Sequence, residues 1–350
     1  MVWILKTRID GMDIEKIYNQ VQEYLNKINF EALWLNFRPL KFALYNQNEC
    51  FFNGRYIDKT DQFIANTSIL FQDEYIAIWN LQEDIPIEIL VSKIVHEMFH
   101  GFQMKNNEMR WANELEALVK YKYSDENLSI KLKENRLLNE LLSSFDSEKY
   151  QRLLSLKRYR YEKYNYEYVY ESRIQQIEGC ANFVELMTLK QIAPVLYNEK
   201  IRRMKDDIVY KERFLPIRVI EYEIGALLIV LLTENGLGFE TGFTDQSFGV
   251  SLIRFVNKFE GYETLVFEKI LENYFQKAKN LMNRIISKNE IVEQEEFKLL
   301  GINVYNAIYV KPYIYTTYFA MYEKNQKRYQ LAGNYVIEID NGVGKKIYKE

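Results

Sequence analysis

Two histidines stand four residues apart in His96-Glu97-Met98-Phe99-His100, and no other histidine occurs among the 350 residues. On an α-helix, positions i and i+4 lie one above the other on one face. Both rings can therefore reach one Zn²⁺ at about 2.0–2.1 Å, with Glu97 beside the coordination position left open. The chemistry this pattern offers is hydrolysis by water activated at the metal. Glu97 is the candidate general base, taking a proton and passing it to the leaving amine. Two ordinary helix-face histidines would show the same spacing only by accident, and the scarcity of histidine argues against that.

A catalytic zinc site takes three protein ligands and leaves one position open. No third histidine exists, and the two cysteines, Cys50 and Cys180, are isolated. The third ligand is therefore expected to be a carboxylate. Glu114 and Glu116, in Trp111-Ala112-Asn113-Glu114-Leu115-Glu116-Ala117, are near candidates. Glu178, in Ile177-Glu178-Gly179-Cys180-Ala181-Asn182-Phe183, is a distant one. It shares a helix face with Ile174, Ala181 and Glu185, where Gly179 and Ala181 allow close helix approach. Glycine inside a helix costs about 1 kcal/mol against alanine and usually needs a packing reason. That reasoning favours Glu178 and leaves the other two open. The developing oxyanion wants a second electrophile. Tyr222, in Glu221-Tyr222-Glu223-Ile224-Gly225-Ala226, is the candidate: its phenol is a donor at neutral pH, and Gly225 stands one turn on.

The elements that must hold these residues are legible from periodicity. Residues 13–30 carry Ile14, Ile17, Tyr18, Val21, Tyr24, Leu25 and Ile28 at helical spacing. Between about 40 and 80, Phe42 to Tyr45, Cys50 to Phe52 and Tyr75 to Trp79 read as strands of a small sheet. Asp84 and Pro86 mark the start of a helix over about 86–104. On it Ile87, Leu90, Val91, Ile94 and Met98 gather on one side, and His96 and His100 fall opposite with Ser92 and Gln103. The expectation is a helix packed on one face that presents two imidazoles from the other. From 111 to about 290 the pattern is long, amphipathic and helical, as in Phe259 to Ile286. The tyrosine-rich stretch Tyr159 to Tyr170 reads as a partly buried helix face. After 300, Val304 to Val310, Tyr313 to Phe319 and Tyr335 to Ile339 read as strands, the last ending at the turn Asp340-Asn341-Gly342. The expected fold is α+β and predominantly helical: residues 1–300 form one domain, with a small sheet at about 40–80 and a helical core at about 85–295. Residues 301–350 form a C-terminal β extension packed on the same unit.

Composition excludes several alternatives. Net charge is −3 and the isoelectric point about 5.8, so nothing favours nucleic acid or anionic lipid. The longest apolar run, Ile224 to Leu232, is too short for a membrane span. The first eight residues carry no signal-peptide pattern, and two cysteines make no disulfide framework. A cytoplasmic location is the expectation.

The segment His96-Glu97-Met98-Phe99-His100-Gly101-Phe102-Gln103 resembles the active-site helix of the gluzincin zinc metallopeptidases. Glu178-Gly179-x-Ala181-x-Phe183 is similar to the E-G-x-A-x-[YF] third-ligand motif of several bacterial members. Tyr222-x-x-Gly225-Ala226 resembles a Tyr-x-x-Gly helix that follows it in some of them. The three motifs cover roughly residues 95 to 235; the thermolysin-type N-E-x-x-S-D pattern is absent, although Asn113-Glu114 faintly echoes it. The resemblance implies a zincin-like, mainly helical catalytic core, Zn²⁺ held by His96, His100 and Glu178, and hydrolysis of a peptide or protein substrate. It also implies a small sheet whose edge strand holds extended substrate, for which Tyr75 to Trp79 is the expected strand. Two other functions share these residues: a catalytically silent binding or regulatory protein on a zincin scaffold, and a zinc hydrolase of non-peptide substrates. The intact Glu97 argues against the silent one.

Overall fold

The computed structural model describes residues 13–350 apart from 83, 240, 258 and 260–263. The reading of residues 1–8 lies outside them. Asp13 opens the first helix, its side chain accepting from the Lys16 N–H at 3.0 Å, a cap worth about 1 kcal/mol. Helix α1 (Ile14–Leu25) then buries Ile14, Tyr18, Val21 and Leu25 at three- and four-residue spacing, and α2 is a single turn (Phe30–Leu33). Strands β1 (Phe42–Tyr45), β2 (Cys50–Phe52), β3 (Arg55–Tyr56), β4 (Thr67–Phe71) and β5 (Glu74–Asn80) form one sheet in the order β3-β2-β1-β5-β4. Strand β5 runs parallel to β1 and antiparallel to β4. The edges are therefore β3 and β4, and Tyr75 to Trp79 lie inside the sheet, which corrects the expectation. The reason is the two-residue hairpin turn at Gln72 (φ 50°) and Asp73 (φ 65°). It folds β4 back onto β5 without the glycine that announces most such turns.

Helix α3 (Ile87–Lys105) follows Pro86 directly and packs against α1, β4 and β5. It buries Leu90, Val91, Ile94, Val95, Met98, Phe99 and Phe102, and also Ser92, His96 and Gln103. The expected unpacked histidine face does not exist, because a later helix covers it. A Cβ added at Gly101 would stand 2.6 Å from the Ser68 Oγ on β4, so the helix meets the sheet edge with nothing to spare next to His100.

Downstream come α4 (Glu114–Lys120), α5 (Asp125–Leu141), α6 (Ser147–Lys163) and α7 (Asn165–Ile174). The stretch Tyr159 to Tyr170 is thus two helices, with Tyr168 and Tyr170 buried. A π-helical turn, Gln175–Gly179, joins α7 to α8 (Cys180–Ile192). Then follow α9 (Pro194–Asp207), α10 (Ile217–Glu234), α11 (Phe248–Leu252) and α12 (Glu268–Lys288). The helix expected from Phe259 starts at Glu268; residues 264–267 belong to no helix or strand, and Asp125 accepts from the N–H groups of Val266, Phe267 and Glu268. The remaining strands are β6 (Ile291–Glu293), β7 (Lys298–Ile302), β8 (Ile308–Val310), β9 (Tyr313–Thr316), β10 (Phe319–Lys324), β11 (Lys327–Ala332), β12 (Tyr335–Asp340) and β13 (Val343–Lys349). They build one sheet of order β11-β10-β7 and another of order β6-β13-β12-β9-β8. The β12–β13 hairpin turns at Asn341 (φ 50°) and Gly342 (φ 82°), as the dipeptide predicts.

The architecture is mixed α+β. Contacts divide it into two units, and no boundary falls near residue 300. The first holds the chain through Trp111, Gln175–Asp206 and Tyr222–Phe248; the second holds Ala112–Ile174, Asp207–Glu221 and Gly249–Glu350. Within the second, Met282 and Ile285 of α12 pack on Val336 and Tyr348. Its helices bury an ionic network. Arg160 donates from Nη2 to both oxygens of Glu171 at 2.6 and 2.7 Å. Lys131 lies 2.9 Å from Glu171 and 2.6 Å from Glu221. Glu134 meets Arg160 at 3.3 Å and Lys157 at 3.5 Å. No helix among the described residues is long and apolar enough to cross a membrane.

Within the first unit, the π turn and α10 touch through glycines. A Cβ on Gly225 would stand 2.9 Å from the Cα atoms of both Gln175 and Gly179. Backbone cannot step aside as a side chain can. Gly225→Ala should therefore cost about 1–3 kcal/mol, read as a fall of several degrees in Tm. Gly238→Ala, with nothing within 4 Å of its new Cβ, should stay close to wild type. Equal Tm values for the two variants would contradict the tight contact.

Candidate metal centre

Helix α3 and the π turn bring three ligand atoms together. The Nε2 atoms of His96 and His100 are 3.1 Å apart. Glu178 Oε2 lies 3.4 Å from His100 Nε2 and 3.8 Å from His96 Nε2. Among the described residues this is the one group of three or more His, Cys, Asp or Glu side chains whose ligand atoms could hold one metal ion. Tetrahedral zinc at about 2.0–2.1 Å requires ligand–ligand edges of about 3.3–3.4 Å. The observed triangle brackets that edge, so the residues fit the ion.

The rings are oriented from behind. His100 Nδ1 stands 2.8 Å from Gln103 Oε1, and Gln103 Nε2 donates to the Ile177 carbonyl at 3.0 Å. The amide oxygen can only accept, so Nδ1 carries the proton and Nε2 keeps its lone pair. His96 Nδ1 faces Glu185 Oε2 at 3.2 Å, an ion-pair approach too oblique to be an aligned hydrogen bond. That carboxylate again favours the proton on Nδ1. With both rings neutral, two lone pairs and a carboxylate oxygen converge on one point. Three acceptors at such distances repel unless a positive charge, a proton or a metal ion, stands between them.

The electrostatics agree. Burial disfavours the charged ring of His96, but Glu178, Glu185 and Glu97 outweigh it and hold its pKa up at about 9. Burial would raise the Glu185 carboxyl; Lys200, Lys93 and His96 instead hold it well below the usual carboxylate range. Lys200 donates to Glu185 Oε1, and Lys93 lies 3.8 Å from the same oxygen. Burial raises the Glu97 carboxyl, with His96 and His100 pulling the other way. With both imidazoles neutral, as metal ligation requires, three glutamates stand against two lysines, and the raised His96 pKa expresses the same demand for a further positive charge.

Each expected residue has its place. His96, His100 and Glu178 come together, and Glu97 sits half-buried between the histidines in sequence. Glu114 accepts from Tyr170 Oη at 2.8 Å and Arg218 Nε at 2.9 Å, and Glu116 pairs with Lys120; neither belongs to the cluster. Tyr222 is half-buried on α10, one turn before the glycine that touches Gly179. Family models, curated proteins and solved structures were compared with the chain, and none matches.

Sequence reasoning missed the supporting residues. Glu185 follows Glu178 by seven positions, two helical turns, which was signal enough to set both on one side. Gln103 falls on the histidine side of the helix in the sequence pattern, but nothing in that pattern gives it a role. The π turn has no signature in residue types; such turns cluster at functional sites because they re-aim a side chain.

Purified protein should carry about one zinc per chain, lost in Glu178→Ala and in the His96→Ala, His100→Ala double variant. Glu185→Gln and Gln103→Leu keep all three ligands, yet each should weaken zinc about 10–100-fold in a chelator competition. Stoichiometric zinc in the double-histidine variant would exclude this centre.

Proposed function

We propose that this chain is a zinc-dependent peptidase with a zincin-like core, in which His96, His100 and Glu178 hold the metal. The observation that carries the reading is the convergence of two Nε2 atoms and one carboxylate oxygen within 3.8 Å of each other, with a further carboxylate, Glu97, beside them. A purely structural zinc site has four protein ligands; three ligands and an adjacent base suit hydrolysis.

When bound, zinc supplies a Lewis acid that acidifies water towards a pKa of about 7 and draws electron density from a carbonyl oxygen. Glu97 takes the proton from the attacking water and delivers it to the amine nitrogen as the C–N bond breaks. Burial that raises its pKa makes it a better base than a solvated glutamate. Tyr222 donates its phenolic proton in a hydrogen bond to the developing oxyanion. The unpaired side of the edge strand β4 receives an extended peptide by backbone pairing, in the place first expected for Tyr75 to Trp79. The two cysteines are free and buried, which supports a cytoplasmic setting for the enzyme.

Glu97→Gln should keep its zinc and lose about 10²–10⁴-fold in cleavage of a peptide library, and Tyr222→Phe should lose about 10²–10³-fold in kcat. Zinc-loaded protein whose cleavage is the same with and without Glu97 is not a peptidase, and its centre then serves binding or another substrate.

A further inference from the structure

The segment that leaves α3 alternates in a way its own packing does not require. Glu108 and Arg110 are 4% and 3% exposed, whereas Met109 and Trp111 are 78% and 42% exposed. The buried pair is tightly built. Arg110 Nε donates to Glu108 Oε1 at 2.7 Å and Nη2 to Oε2 at 2.6 Å. The same guanidinium reaches a second segment, donating to the Gln246 carbonyl and to the Gly242 carbonyl, each at 2.9 Å. Trp111 is fixed in turn, its Nε1 donating to the Glu108 carbonyl at 2.8 Å. Its ring centroid stands 6.2 Å from that of His100. Between the two carbonyls that Arg110 grips lies Phe243, 36% exposed, which packs on Phe102 of α3 at 5.7 Å between ring centroids.

Leaving large apolar side chains in water forgoes the stabilisation that burial brings. Burying an ion pair to hold them there adds a desolvation cost. Such a combination beside a metal centre suits an apolar side chain brought by something else. Trp111 is rigid, amphipathic and ordered before binding, so little entropy is lost when a ligand covers it.

We infer that Trp111, with Met109 and Phe243, is the platform that receives a large apolar side chain next to the scissile bond, so that the substrates are peptides or proteins with such a residue there. This rests on the peptidase reading. It makes Trp111 a specificity-determining residue that touches substrate without taking part in the chemistry.

The test uses the full chain and paired quenched peptides that carry phenylalanine or alanine on either side of the cleaved bond. Wild type should prefer phenylalanine at one of those positions. Trp111→Ala should lower kcat/KM for that peptide about tenfold or more, mainly through KM, and shrink the phenylalanine-to-alanine ratio towards one. Trp111→Phe should retain most of the preference, and zinc content should report that both variants keep the centre. A ratio unchanged by Trp111→Ala overturns the platform while the peptidase reading stands. If no cleavage depends on Glu97, the peptidase reading falls, and equilibrium binding of the same peptides decides the platform alone. Phenylalanine-dependent binding lost in Trp111→Ala upholds it; binding indifferent to Trp111, or none, overturns it.

Discussion

The constraint on which the candidate centre depends is the burial of carboxylates beside imidazoles whose Nε2 atoms already face one another. A buried carboxylate with no counter-charge is costly enough to take up a proton instead. Here Glu178 reaches both Nε2 atoms, and Glu185 is held ionised by Lys200, Lys93 and His96. The surrounding structure serves this arrangement. The glycine contact between the π turn and α10 brings the Glu178 backbone in, and Gln103 ties the His100 ring to the Ile177 carbonyl one residue from Glu178. One glutamine thus registers the His100 ring against the backbone that presents Glu178, the candidate third ligand.

The second unit solves the same problem by other means. Glu134, Glu171 and Glu221 are buried there, and Lys131, Lys157 and Arg160 are buried with them. Burial and its cationic neighbours pull Lys157 down while Glu134 pulls it up; Arg160 and Lys131 overcome burial to bring Glu171 to about 2. That network carries its own cations and offers a metal nothing. At the candidate centre the glutamates outnumber the lysines, and imidazole nitrogens stand where further cations would be. What separates this internal salt-bridge network from the candidate metal centre is that shortfall, with imidazole nitrogen donors placed at it.

How much of the site was legible follows from residue type. Histidine is rare enough in this chain for its spacing to carry information. Glutamate is not: Glu114, Glu116 and Glu178 were separable only by what surrounds them, and the small residues Gly179 and Ala181 pointed to the helix that has to come close. In the sequence Trp111 is no more than a neighbour of Glu114. Its exposure depends on the Glu108–Arg110 pair gripping carbonyls more than 130 positions away in sequence, and no local pattern encodes that. The edge strand was misassigned for a related reason, since Gln72 and Asp73 adopt positive φ without the residues that favour it.

The helices show where periodicity stops. It gave α1 and much of the helical region, because a helix with one wet face writes its phase into the order of polar and apolar residues. Helix α3 is covered on nearly every side, and on α10 every residue from Ile224 to Leu232 except glycine is an apolar side chain at 1% exposure or less. Such a helix has an axis but no readable phase. What orients it is the residue that lacks a side chain: Gly225 can meet only another backbone closely, and Gly179 is the backbone it meets. In a fully buried helix the glycines, rather than the hydrophobic stripe, mark the face on which a site can be built.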